Sequence, residues 1–363
     1  MEIICEVRNS LACVTLNRPA ALNALSLAMV EELGGQLHRF SKDPDIRGVL
    51  IQGAGEKAFC AGGDIRAIYD SHQDAGSVHR DFFTKEYPVD HLLHFYPKPY
   101  VVIMNGITMG GGMGLAQGSP LRIVGERTRV AMPEVGIGFF PDVGGSYFLS
   151  RLPGTLGTYL ALTGTQIRAA DTLYVGLADH YLPPPALQQL PAQLDSLIWT
   201  GRGSDASRTD LEQLIGRLAA APGESPLARL RAAIDEHFAA GSVAQLFASL
   251  QAETRPDYAQ WATDTLKLLK SRSPTMLAVT LRQLRLGRSM SLAECLRMEL
   301  GMVQRCLEQG DFMEGVRALI VDKDNAPHWH PDRIEDVTEG SVDAIFSDPW
   351  AGGVHPLADL RSR

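Results

Sequence analysis

Three short runs dense in β-branched and other apolar residues, RGVLIQGAG (47–55), KPYVVIMNG (98–106) and LRIVGE (121–126), each close on glycine. This recurrence constrains the fold more than any other feature of the chain. Unbroken apolar runs of such length mark strands buried on both faces, which occur where helices cover a mostly parallel sheet. Residues 2–17 read as a two-stranded hairpin around RNS, and SLAMVEELGGQLHRF (26–40) spaces its apolar residues helically behind a serine at the N-cap position. A glycine-rich turn leads from the second run into the helix-compatible MGLAQG, and the third leads on to TRVAM. Strand, glycine loop, helix, strand is the grammar of an α/β fold. Past LADHYL (177–182) helical patterns take over, among them SPTMLAVTLRQLRLG and SLAECLRMELGMVQRCLEQGD, each opening near serine and closing near glycine. We therefore expect an α/β core with the active site over residues 1–195 and a mainly helical C-terminal region over 196–363.

Composition narrows the function classes. With 42 acidic against 34 basic residues the net charge is −8, which argues against a nucleic-acid partner. No run of 18 apolar residues is present, so no membrane partner is expected, and the first residues, MEIICEVRNSLACVTLN, lack the pattern of a signal or transit segment. The expected location is cytoplasmic. Five cysteines, an odd number with no C-x-x-C pair, read as reduced thiols.

A nucleophile elbow, a P-loop and an H-E-x-x-H helix are all missing from the sequence. His328 and His330 in HWH lack a third ligand at a recognisable spacing, and His91 and His94 read as structural, so no metal is expected. Two glycine loops remain, KAFCAGGDI (57–65) and NGITMGGGMGL (105–115). Without a Cβ in the way, two facing loops can aim two backbone N–H groups at one oxygen, the requirement for holding a thioester oxyanion; each loop also serves simply as a tight turn. MGGGMG lacks the context of a dinucleotide-binding fingerprint.

The stretch MPEVGIGFFPDVGGSYFL (132–149) keeps Glu134 and Asp142, eight positions apart, in otherwise uncharged, largely apolar surroundings. Burying unpaired carboxylates is costly, which marks them as a candidate pair for acid–base or nucleophilic work. The plainer reading makes Glu134 a turn cap and Asp142 the cap of a helix starting near Val143.

Taken in order, A-G-G-D, N-G-x-x-M-G-G-G-x-G, M-P-E and P-D-V-G-G resemble the crotonase (enoyl-CoA hydratase/isomerase) superfamily, and within it the 3-hydroxyisobutyryl-CoA hydrolases. The likeness extends through FFTKEY (82–87), RLPGTLGTYLALTG, SPTMLAVTLRQL and DFMEGVRALIVDKDNAPHW, and it weakens around 185–260. The resemblance implies a spiral of β-β-α units with C-terminal helices packed on the core or on a neighbouring subunit. It implies an oxyanion hole from the backbone N–H groups of Gly63 and Gly111, with substrate contacts from Ala61, Asp64 and Ile65 on the first loop. It further implies Glu134 and Asp142 as the catalytic pair and Glu86 in FFTKEY as a substrate contact; the plainer reading of Glu86 is a solvated helix residue.

Glutamate-based hydratases of the superfamily carry a second acid just after the glycine triplet, where this chain has Gly114. That departure favours thioester hydrolysis over hydration. The expected reaction is hydrolysis of a short 3-hydroxyacyl-CoA, 3-hydroxyisobutyryl-CoA foremost, as in valine catabolism. Coenzyme A is part of the substrate and no separate cofactor is expected. The alternatives are an enoyl-CoA hydratase, a dienoyl-CoA isomerase, and a non-catalytic acyl-CoA-binding protein. Homo-oligomers, common among such relatives, are carried as an expectation. An acyl-enzyme anhydride and direct attack by water are both compatible with the pair.

Overall fold

A computed structural model describes residues 1–201 and 203–361. Its contacts divide the chain into two compact units, Met1–Asp64, Pro88–Val130 and Gln166–Ala228 forming the first, and Ile65–Tyr87, Ala131–Thr165 and Arg229–Arg363 the second.

The first unit is built on the runs read from the sequence. β1 (Ile3–Arg8) and β2 (Leu11–Leu16) make the expected antiparallel hairpin. β2 then pairs in parallel with β3 (Gly48–Gly53), β3 with β5 (Tyr100–Ile103), β5 with β7 (Leu121–Val124), and β7 with β9 (His180–Tyr181). The sheet order is thus β1-β2-β3-β5-β7-β9. Leu11, Leu50, Val101, Leu121 and Ile123 carry one face of it into a core completed by Leu182, Leu190, Leu194, Leu211, Leu214 and Ile215. Removing such side chains from water supplies the main favourable term in folding. α1 (Leu27–Lys42) starts where the sequence placed it, with the Ser26 hydroxyl accepting from the Met29 N–H and Met29, Val30, Leu33, Leu37 and Phe40 buried.

A three-stranded sheet in the order β4-β6-β8 is formed by β4 (Ala58–Cys60), β6 (Ile107–Met109) and β8 (Arg129–Ala131). β4 and β6 run in parallel, with an irregularity between Ala58 and Cys60, so both deliver their glycine turns at the same end. α4 (Gly111–Gln117) begins inside the glycine triplet rather than after it.

In the second unit, α2 (Ile65–Gln73) and the part of α3 (Val78–His94) up to Tyr87 are joined by two short turns, a 3-10 helix at Glu134–Ile137 and α5 (Gly145–Phe148). The long helices Pro274–Gly287 and Leu292–Glu308 open at Ser273 and Ser291, the latter in a complete capping box with Glu294. Phe139 stacks on Phe140 with ring centroids 4.4 Å apart and lies 4.5 Å from Phe312 and 6.0 Å from Phe83, which forms the apolar heart of this unit. Close approach explains Gly138: a Cβ there would stand 2.4 Å from the Asp311 carbonyl oxygen, and its φ of +69° is left-handed.

Candidate active site

In the first unit, the strands β4 and β6 bring the two glycine turns side by side. Gly62 has a φ of +105°, and a Cβ built on it would lie 3.4 Å from the Met109 carbonyl and 3.7 Å from the Gly111 nitrogen. Gly112 is tighter still, since its Cβ would stand 2.4 Å from the Cys60 carbonyl oxygen. The Ala61 N–H bonds to the Leu22 carbonyl, the Leu25 N–H to the Gly62 carbonyl and the Asp64 N–H to the Leu25 carbonyl. This ladder fixes the first loop through every residue around Gly63 without drawing on the Gly63 N–H. Gly111 is the first residue of α4, and first-turn N–H groups have no acceptor within their own helix. Neighbouring loops thus hold two N–H groups available to an outside oxygen. Asp64 is occupied by Arg18, whose Nη2 is 2.9 Å from its carboxylate, and Ala61 is half-buried beside it.

The second unit gathers the acids. Glu86 on α3, Glu134 at the start of its 3-10 turn, and Asp142 two residues before Gly144 are only 2, 7 and 5% exposed. The Tyr87 hydroxyl donates to Asp142 Oδ2 at 2.9 Å. One carboxylate oxygen of Glu86 and one of Glu134 are buried with no hydrogen-bond partner among the described residues. Buried acceptors are normally satisfied, so an orphaned one calls for an explanation. Burial pushes all three carboxyls up: Glu86 and Glu134 go well above the ordinary carboxylate range, with Asp142 adding repulsion to each, and Asp142 rises to about 7 against the opposing Tyr87 hydrogen bond. A buried set whose charges oppose one another shares protons near neutrality, which suits groups that exchange protons with a substrate. Ile65, expected on the first loop, opens α2 of this unit and is half-buried.

Asp142 does not cap a helix with its side chain. α5 starts three residues later behind Gly144, and no side chain caps it; the Asp142 carboxylate turns to Tyr87 instead. Between them Val143 holds a φ of +52°, an expensive conformation for a β-branched residue and one that persists only under outside constraint.

Two members of this cluster escaped sequence reasoning. Tyr87 directly follows Glu86. Glu299, which is fully buried, accepts from the Gly144 N–H at 2.8 Å and the Ser146 N–H at 2.9 Å. Its signal was spacing, because Leu292, Cys295, Leu296, Met302, Val303 and Cys306 form the buried face of their helix and Glu299 falls on it. His328 and His330 use their backbone N–H groups on Glu314 and Asp311, and no group of three metal-binding side chains exists among the described residues. No disulfide joins the five cysteines.

Available backbone N–H groups on paired glycine turns, and a set of buried carboxylates, are each features that enzymes use for hydrogen bonding and proton transfer. The family model for enoyl-CoA hydratase/isomerase matches residues 11–346, and the chain belongs to that family. It is 42% identical over 348 residues to a protein of Danio rerio named mitochondrial 3-hydroxyisobutyryl-CoA hydrolase, covering 95% of this chain and 89% of the relative. A human protein of the same name is 39% identical, covering 95% and 88%. Among solved structures, one described as a carnitinyl-CoA dehydratase from Mycobacterium thermoresistibile superposes with a TM-score of 0.88 at 38% identity, covering 100% of this chain and 99% of that one. An enoyl-CoA hydratase from Rhodobacter sphaeroides gives 0.85 at 36% identity, with 96% and 98% covered. The crotonase-like α/β fold is therefore established.

The expected cytoplasmic location is corrected by the 3-hydroxyisobutyryl-CoA hydrolase relatives, which are named as mitochondrial and point to that compartment. The residues from which cytoplasm was read form β1 and β2 of the core, and the composition of a core strand reports packing, not address.

Proposed function

We propose that this protein hydrolyses a short 3-hydroxyacyl-CoA thioester, 3-hydroxyisobutyryl-CoA foremost, to the free 3-hydroxy acid and coenzyme A. The observation that carries this reading is the likeness, at about 40% identity over nearly the whole chain, to relatives named for that reaction. Gly114, in place of the acid that glutamate-based hydratases carry after the glycine triplet, supports hydrolysis over addition of water to a double bond.

In this reading the N–H groups of Gly63 and Gly111 receive the thioester oxygen as it gains charge, and preorganised donors of this kind lower the barrier substantially. The Glu134 carboxylate attacks the carbonyl carbon, or takes a proton from a water that does. Collapse of the tetrahedral species breaks the C–S bond and releases the thiolate of coenzyme A, which takes a proton from the carboxyl set; where Glu134 was the nucleophile, water then cleaves the acyl anhydride, freeing the hydroxy acid and the Glu134 carboxylate. Asp142 orients water or substrate and passes the proton on. Glu86, with a buried unpartnered oxygen, bonds the 3-hydroxyl. Ala61, Asp64 and Ile65 support substrate binding. The acid produced belongs to valine breakdown.

The two solved structures, a carnitinyl-CoA dehydratase and an enoyl-CoA hydratase by name, favour a second reading, reversible addition of water to an enoyl thioester. One panel separates the two: acyl-CoA thioesters scored for free thiol beside loss of enoyl absorbance. Thiol release from 3-hydroxyacyl-CoA, with little turnover of crotonyl-CoA, is expected; enoyl turnover rivalling thiol release selects the second reading.

A further inference from the structure

The loop that carries Asp142 is gripped by two buried polar side chains that the proposed chemistry does not use. Gln283, on the helix Pro274–Gly287, donates from Nε2 to the Pro141 carbonyl at 2.6 Å and to Ser146 Oγ at 2.8 Å. Glu299, on the next helix, accepts the N–H groups of Gly144 and Ser146 on separate carboxylate oxygens. Both residues are fully buried. The four anchored groups bracket Asp142 and the left-handed Val143 on either side. Glycine adds to the fit at Gly287, where a Cβ would stand 2.2 Å from the Ser146 carbonyl. A carboxylate spent on two backbone N–H groups in a core is expensive compared with an apolar side chain, unless it holds something in place.

We propose that Glu299 and Gln283 are positioning residues that act through Asp142, clamping residues 141–146 so that its carboxylate stays on the Tyr87 hydroxyl and beside Glu134. The proposal rests on the hydrolase reading for its kinetic consequences but not for its geometry. The ionisable groups facing Asp142 are Glu86 and Tyr87 from α3, Glu134 from its turn, and Glu299 and Cys306 from the helix Leu292–Glu308, while Gln283 faces it as a neutral group. Glu299 is thus a clamp that also titrates, with Asp142 helping to raise its proton affinity, whereas Gln283 is a clamp only.

A variant at each clamp makes the test. In Glu299→Gln one of the two backbone N–H groups loses its acceptor. Gln283→Met keeps length and removes both donors with no change in charge. Both variants should lose about tenfold to a hundredfold in kcat with KM within about twofold, the scale expected when a reacting group drifts from its position. Glu299→Asp, which keeps two acceptor oxygens, should recover part of the loss. Carbon-13 NMR titration of labelled aspartate in the substrate-free protein should show the Asp142 midpoint moving to higher pH in both variants, because a carboxylate that drifts loses the Tyr87 hydrogen bond that holds its proton affinity down. A folded Glu299→Gln protein with unchanged kcat, or one with a lower Tm, full specific activity and an unmoved Asp142 midpoint, overturns the proposal. If Glu299→Gln does not fold, Gln283→Met decides it: unchanged kcat in that variant also overturns the proposal. Failure of the hydrolase reading is separate, since it shows as absence of thiol release by the wild type while the NMR arm still reports.

Discussion

Asp142 carries most of the chemistry legible at the scale of single residues, because each neighbour acts on its proton in a nameable way. Burial raises its proton affinity and the Tyr87 hydroxyl, 2.9 Å away, lowers it. Replacing it by asparagine keeps an oxygen for Tyr87 to bond while removing the need to bury a charge. Asp142→Asn should therefore cripple hydrolysis yet melt at a higher temperature than the wild type at pH 8. At pH 5, where the wild-type carboxyl is already protonated, the difference in Tm should shrink. Melting curves at the two pH values check this, and an equal or lower Tm at pH 8 refutes it. Glu86 bears on selection. If its unpartnered oxygen bonds the substrate 3-hydroxyl, Glu86→Ala should lower kcat/KM for 3-hydroxyisobutyryl-CoA by roughly one to two decades more than for isobutyryl-CoA, since a hydrogen bond to a charged or strongly polar partner is worth about 1.5–3 kcal/mol. Equal losses on the two thioesters would assign Glu86 to the chemistry or to support. That Asp142 would be interesting was legible from its apolar setting; Glu86 came from the family resemblance, and that it is buried rather than solvated was not legible. One turn of helix exposes or hides a glutamate depending on what packs against it.

At the scale of elements, the glycine turns show local preference yielding to close packing. Glycine costs about 1 kcal/mol in a helix interior relative to alanine, so the sequence pointed to a helix after the triplet, yet α4 starts at Gly111 because the approach of Gly112 to the Cys60 carbonyl leaves no room for a Cβ. This placement makes a clean test available. Proline is tolerated at the first position of a helix, where its missing N–H costs the helix nothing. Gly111→Pro should keep the fold, checked by circular dichroism, while removing one proposed oxyanion donor and lowering kcat by roughly 10²–10³. Near-normal turnover in a folded variant would place the donor elsewhere. The helix cap expected at Asp142 failed for a related reason. Short polar residues before a helix are caps by default, and only the tertiary partner Tyr87 diverted this one.

For the molecule as a whole, several buried carboxyls with raised proton affinity set the pH dependence of stability. Above pH about 4 the unfolded chain has released protons that the native Glu86, Glu134, Asp142 and Glu299 still hold, Asp142 up to about 7 and Glu299 up to about 8. Where the native state binds more protons, stability falls as pH rises. Burial holds the rings of His79 and His355 below their ordinary value, and these work in the opposite direction over a narrower range. Stability to urea should therefore decline from pH 5 to pH 8, and the double variant Asp142→Asn, Glu299→Gln should flatten that slope; a wild-type profile that rises across this window refutes the assignment. The hairpin β1–β2, the buried strands β3, β5 and β7 with their glycine loops, and the caps at Ser26, Ser273 and Ser291 were legible in the sequence itself, because apolar periodicity and turn chemistry are written locally; Glu134 and Asp142 stood out there by their apolar setting and by motif order. Tertiary structure alone decided that Tyr87 meets Asp142, that Glu299 and Gln283 grip the loop around it, and that helix α4 begins within the glycines. Each of those depends on which side chains from distant parts of the chain end up without water between them, and burial of that kind is a property of packing that no local pattern carries.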